Sequence, residues 1–245
     1  MAGCVFCGAR PTTNEHVFPQ WLIGVIPGAG QLTHTWAAPE GSDSESRTWK
    51  TDVIDFKAKV VCGPECNHGW MERLEKRARP FLEPMIRGHH STLYPEGADA
   101  IAYWALKTAM MIDFAQEAEH RCVPESVYPE LYAAKGVLPQ TFVWLGACDF
   151  GAGALGRPRT LNLHNGDASP AGFGATLGVG HLVIEIIRVP VEDRKTLEIG
   201  GPLASAVRRL WPFTNVVVWP PPTVLSRQNA VWLGQLIEGS PIGLS

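Results

Sequence analysis

Hydrophobic and polar positions change period along this chain, and each period predicts an element. Over residues 53–61 the run Val-Ile-Asp-Phe-Lys-Ala-Lys-Val-Val alternates closely enough for a strand that delivers Cys62. Trp70, Leu74 and Ala78 then recur at helical spacing, with Asn67 placed to cap the helix N-terminus and Pro80 to bend or end it. Upstream, residues 4–24 read as a tight turn followed by a Glu-His segment that is strand or turn, because Pro19 blocks a regular helix there. Residues 28–52 are polar and rich in Gly, Ser, Asp and Thr, so they read as a surface loop or a ragged hairpin.

Past a break from Gly88 to Pro95, residues 98–118 form the strongest helical pattern in the chain. Ile101, Trp104, Ala105, Thr108, Met111, Ile112 and Ala115 share one face, yet Tyr103, Leu106, Met110 and Phe114 occupy the other. A helix apolar on both sides is a buried one, and Lys107 and Asp113 make it a poor membrane span. A second helix is expected from Pro124 to Lys135 and a last one near Ser226–Glu238. Strands are expected at Thr141–Ala147, Thr160–Leu163, His181–Val189 and Asn215–Trp219. The expected class is α+β, with an N-terminal module over 1–88 and a mixed helix and strand region over 89–245 in an accessory or recognition role.

Composition narrows the setting. At 245 residues and 45% apolar the chain can bury ordinary globular cores. No apolar leader follows Met1 and no apolar run reaches spanning length, so a soluble cytoplasmic protein with no membrane partner is expected. In a reducing compartment the six cysteines are not expected to form disulfides; Cys122 and Cys148 are isolated and read as small buried apolar residues. The net charge of −3 argues against a general nucleic-acid coat, so any contact with nucleic acid is expected to be local.

The remaining cysteines carry chemistry. Cys4-x2-Cys7 and Cys62-x3-Cys66 are two short pairs far apart in sequence, the spacing that suits a closed tetrahedral structural Zn²⁺. Such a staple would bring Glu15-His16-Val17-Phe18-Pro19 beside Asn67-His68, gathering an acidic oxygen, an imidazole and an amide oxygen into one site. Trp70 is expected to pack on the cysteine turn. His34, His120, His164 and His181 read as surface or structural residues, and His89-His90 as a loop pair.

Over residues 1–85 the chain resembles the zinc-stapled HNH, or His-Me finger, endonucleases. The residues that carry the resemblance are the two cysteine pairs, the Glu15-His16-x-x-Pro19 run and the Cys66-Asn67 junction, all in the required order. Two positions depart from the family pattern. Its middle Asn is missing, with only Asp55 nearby, and its last letter is Asn67, with His68 as the substitute. The resemblance implies a ββα-metal finger that hydrolyses phosphodiester bonds in DNA, expected to be double-stranded. His16 would be the general base, and Glu15 and Asn67 would hold a catalytic Mg²⁺ or Mn²⁺. Arg73, Lys76 and Arg77, spaced three and four apart, would contact phosphates, with Arg79 and Arg87 further along. The competing reading is a zinc-supported module that binds nucleic acid or protein without cutting, its basic residues balanced by Glu72 and Glu75 on a solvated surface.

Overall fold

The computed structural model describes residues 3–10, 13–26, 32–36, 47–51, 57–61, 63–151, 154–161, 172–189, 197–199 and 201–233. Strand β1 (Thr13–His16) is followed by a short 3₁₀ turn over Gln20–Gly24 and by the hairpin of β2 (Leu32–Trp36) and β3 (Arg47–Thr51). The hairpin settles the character of much of the polar stretch. Strand β4 (Lys57–Val61) returns to pair antiparallel with β1, with Glu15 opposite Ala58 and His16 opposite Lys57. Residues 52–56 and Cys62 lie outside the described residues.

Helix α1 (Glu72–Ile86) begins later than Asn67 would place it. Asn67 sits inside a widened helical turn over Gly63–Met71, broken at Gly69, and the residue before α1 is Met71, whose side chain makes no cap. Asn67 is therefore not the N-cap of this helix; its amide is engaged elsewhere, as described below. Nor does Pro80 end α1, which continues to Ile86 with both Pro80 and Pro84 inside it. Pro84 would have bonded the Pro80 carbonyl, so the two prolines spoil neighbouring links on an outer face. Meanwhile Ala78, Leu82, Met85 and Ile86 are buried and hold the helix by packing.

Strand β5 (Ser91–Leu93) interrupts the expected break, and helix α2 (Pro95–Phe114) starts with proline at its first turn. It is buried on all sides, from Gly97 to Asp113 with only Asp99 partly open. Helix α3 (Val127–Ala134) follows. Strands β6 (Thr141–Ala147), β7 (Ala154–Leu161), β8 (Gly172–Val179), β9 (Leu182–Arg188) and β10 (Val207–Trp211) form an antiparallel sheet in the order β10-β6-β9-β8-β7. Strand β11 (Val217–Trp219) pairs with β5, and helix α4 (Arg227–Trp232) is capped by Ser226, whose Oγ accepts from the Asn229 N–H at 3.0 Å. Strands β8 and β10 have no counterpart in the sequence reading. Glycines at 172, 174 and 178 weaken the strand signal in β8, yet a Cβ at Gly178 would stand 2.5 Å from the Phe150 ring, so the gap in side chains is what admits that ring.

The class is α+β. One face of the sheet packs on α2, and the other carries a second apolar cluster with Trp144, Leu225 and Leu233. The larger cluster runs without interruption from Phe6, Trp70 and Leu82 through Ile101 and Met110 to Val143 and Ile186. Buried side chains on both sides of residue 88 thus share one core.

Candidate functional site

The cysteine turn is built first. Gly8 takes a positive φ of 73°, which glycine adopts without strain, and the Gly8 N–H donates to the Cys4 carbonyl at 2.8 Å. That closes the loop and aims the Cys4 and Cys7 thiols the same way. Cys66 joins them from the other end of the module: Cys4 Sγ and Cys66 Sγ are 3.8 Å apart, and all three sulfurs lie within 4.8 Å of one another. This is too far for a disulfide and fits a metal. With zinc–sulfur bonds of about 2.3 Å, neighbouring sulfurs of a tetrahedral shell stand about 3.8 Å apart. The three thiols can hold a metal ion, and Cys62 lies outside the described residues. Trp70 packs here as expected, edge to face with Phe6 at 5.5 Å and stacked on Tyr103 of α2 at 5.8 Å.

The second part of the site hangs on β1. The Asn67 amide Nδ2 donates to Thr13 Oγ1 at 3.0 Å, which ties the turn after the cysteines to the start of this strand. Beside it opens a cleft of about 420 Å³ lined by Thr13, Glu15, His16, Pro19, Gln20, Trp21, Asn67, His68, Glu72 and Glu75. His16 is half-buried, and its Nε2 lies 3.1 Å from Gln20 Nε2, one turn further along the chain. An amide N–H pointing at that nitrogen makes it the acceptor of the ring and leaves the proton on Nδ1. The expected residues Glu15, His16 and Asn67 are therefore brought to one cleft.

Beneath the cleft lies a group that sequence reading passed over. Lys107 of α2 is fully buried, and its Nζ donates to Glu15 Oε1 at 3.0 Å and to Glu75 Oε1 at 2.9 Å. Its own burial would discharge the ammonium, but Glu75 and Glu15 together hold its proton more tightly than a free lysine does. Burial pushes the Glu15 carboxyl above the usual carboxylate range against the pull of Lys107, and the charge on Glu75 pushes the same way. One ammonium between two carboxylates leaves the second harder to ionise. A signal for this was present: a lysine in the centre of a helix apolar all round needs a buried anion.

The basic residues of α1 do not form one patch. Lys76 pairs with Glu72 at 2.5 Å, Arg77 with Asp99 of α2 at 2.8 Å, and Arg79 and Arg87 both pair with Glu83, at 3.2 and 3.1 Å. Arg79 also lies over the Trp21 ring, 5.3 Å from its centre. Arg73 is exposed and acts on Lys135 beside the cysteines. Partial desolvation draws the Lys135 ammonium below its usual range, while negative charge on the Cys66 and Cys7 sulfurs opposes that shift.

Cys148 is buried, which raises its thiol above the usual range, whereas Cys122 is half-buried with its N–H donating to Asp113 Oδ1 at 2.6 Å. His89 and His90 are exposed, and His164 and the side chain of His34 fall outside what is described. Among the described residues no helix is long and apolar enough to cross a membrane.

Comparison of the chain with protein-family models, with curated proteins and with solved structures returned no match.

Proposed function

We propose that this protein is a metal-dependent endonuclease of the HNH type, with a ββα-metal finger in its N-terminal third that hydrolyses phosphodiester bonds in DNA. The observation that carries this reading is the Asn67–Thr13 bond at 3.0 Å, which holds the Cys-Asn junction against the strand bearing Glu15 and His16 so that all three line one cleft. The β1–β4 pair followed by α1 is the order of elements such a finger requires. Zn²⁺ on the cysteines would be structural, since a closed thiolate shell leaves no position for substrate.

His16 is the general base. Its acceptor nitrogen takes a proton from water as the water oxygen attacks phosphorus and the bond to the 3′ oxygen breaks; the departing oxygen is protonated from solvent. The Gln20 amide occupies the lone pair of that nitrogen in the structure, so the attacking water must displace it before the proton can move. Glu15 and Asn67 offer a carboxylate and an amide oxygen, the donor types a hard divalent ion prefers, and these residues would hold Mg²⁺ or Mn²⁺. When bound, such an ion stabilises the charge that builds on the phosphate and the leaving oxygen. Lys76 and Arg77 already face acidic partners, which leaves exposed Arg73 as the cation of that trio proposed to meet a phosphate outside the cleft lining.

A second reading is a zinc-supported binding module without catalysis, and the Lys107–Glu15 ion pair favours it because Glu15 already has a cation. Incubating the purified protein with supercoiled plasmid and Mg²⁺ or Mn²⁺, alongside His16→Ala, decides between them. Nicking that needs both the ion and His16 supports the enzyme. DNA binding with no nicking on any duplex or single-stranded substrate supports the module.

A further inference from the structure

We propose that Lys107 is a built-in cation that competes with a divalent ion for Glu15 and thereby sets how tightly the cleft binds that ion. The inference rests on the reading of Glu15 as an ion ligand given above and adds a positioning residue from the far half of the chain.

Lys107 cannot easily withdraw. Asp99, Tyr103 and Lys107 are spaced four apart along α2 and share one face. Asp99 pairs with Arg77, Tyr103 stacks on Trp70, and Lys107 reaches Glu15 and Glu75, so three consecutive turns of α2 are fastened to the N-terminal module. The ammonium is wholly shielded from water and therefore depends on its two carboxylates. Together the three groups carry one net negative charge at the base of a cleft whose other described acid is Glu72, itself paired with Lys76. An ion approaching Glu15 meets a fixed positive charge in direct contact with that carboxylate. In surroundings this poorly screened, the repulsion is worth at least about a tenfold change in affinity. Glu75 acts as the counterweight: it holds part of the ammonium's attraction away from Glu15.

The test is a Mn²⁺ titration of the full-length, zinc-loaded protein followed by electron paramagnetic resonance, with circular dichroism to verify folding. Lys107→Met is expected to bind Mn²⁺ at least about tenfold more tightly than the wild type. Glu75→Gln, which leaves the ammonium to Glu15 alone, is expected to bind it severalfold more weakly, and Glu15→Gln should abolish cleft binding in both backgrounds. A folded Lys107→Met protein with unchanged or weaker Mn²⁺ binding overturns the proposal. Should Lys107→Met not fold, Glu75→Gln decides it, and unaltered affinity there overturns it equally. Plasmid nicking by the wild type is scored separately. Opposite shifts in Mn²⁺ affinity in a protein that never cuts would keep this inference and reject the nuclease, while nicking without those shifts would do the reverse.

Discussion

The amide of Asn67 donates to the hydroxyl of Thr13 at 3.0 Å across 54 residues of chain, and this one bond joins the two segments that carry the candidate site. If it positions the cleft, Thr13→Val and Asn67→Ala should each lower stability by about 0.5–1.5 kcal/mol, the range for a part-buried hydrogen bond. The double variant should lose clearly less than the two single losses added together, because both remove the same bond. Denaturant unfolding of the four proteins measures the coupling, and strict additivity would show that the bond contributes nothing.

The cysteine cluster predicts one zinc per chain. Metal analysis of protein purified without a histidine tag should find it, and removal by a chelator should lower the stability of the fold, because Cys4, Phe6, Cys66 and Trp70 belong to the shared core. Replacing Cys62 and Cys66 together with Ser should lower the melting temperature. An unchanged melting curve, or protein without zinc, would end the staple.

His16→Ala should leave folded, zinc-loaded protein that binds DNA but cuts it about 10²–10⁴-fold more slowly, the usual cost of losing a general base. Glu15→Ala should also lose activity, but through weaker ion binding, so excess Mn²⁺ should restore part of it. Equal cutting by His16→Ala would remove the imidazole from the mechanism.

Replacing Arg73, Lys76 and Arg77 together with Ala should weaken DNA binding and flatten its dependence on salt. Arg73→Ala alone should account for most of the change, since Lys76 and Arg77 are held by Glu72 and Asp99. Titrations at several salt concentrations measure the slope; a slope that does not move would leave these residues on a solvated surface.

Asp113 predicts a pH dependence that is separate from the cleft. Burial raises its carboxyl above the usual range, although the Cys122 and Val123 N–H groups and the Tyr128 hydroxyl all donate to it. The folded state therefore holds the proton more tightly than the unfolded chain, and its contribution falls as pH rises from about 3.9 through the raised value. Asp113→Asn should cost about 1–3 kcal/mol, because one of those donors loses its acceptor. The difference from wild type should be larger near pH 4 than at neutrality. Thermal unfolding of both proteins across that range checks the sign.

Much of this architecture was legible in the chain because it rests on local rules. The Cys4 and Cys7 spacing specifies a tight turn, and Gly8 supplies the positive φ that closes it. The continuous apolar run at Thr141–Ala147, the all-round apolarity of α2 and the Ser226 cap each state a local preference that packing did not overrule. Where local preference and packing disagreed, packing won. Asn67 favours a helix cap but bonds Thr13 instead, Pro80 disfavours helix but rides on buried Leu82 and Ile86, and the glycines of β8 are accepted because Phe150 needs the room. The charge balance of the cleft was decided by tertiary structure alone. Lys107 stands 92 residues from Glu15, and no pattern within either segment names the other as its partner. What links them is that a buried ammonium cannot remain without anions, and only the folded chain determines which carboxylates lie within reach.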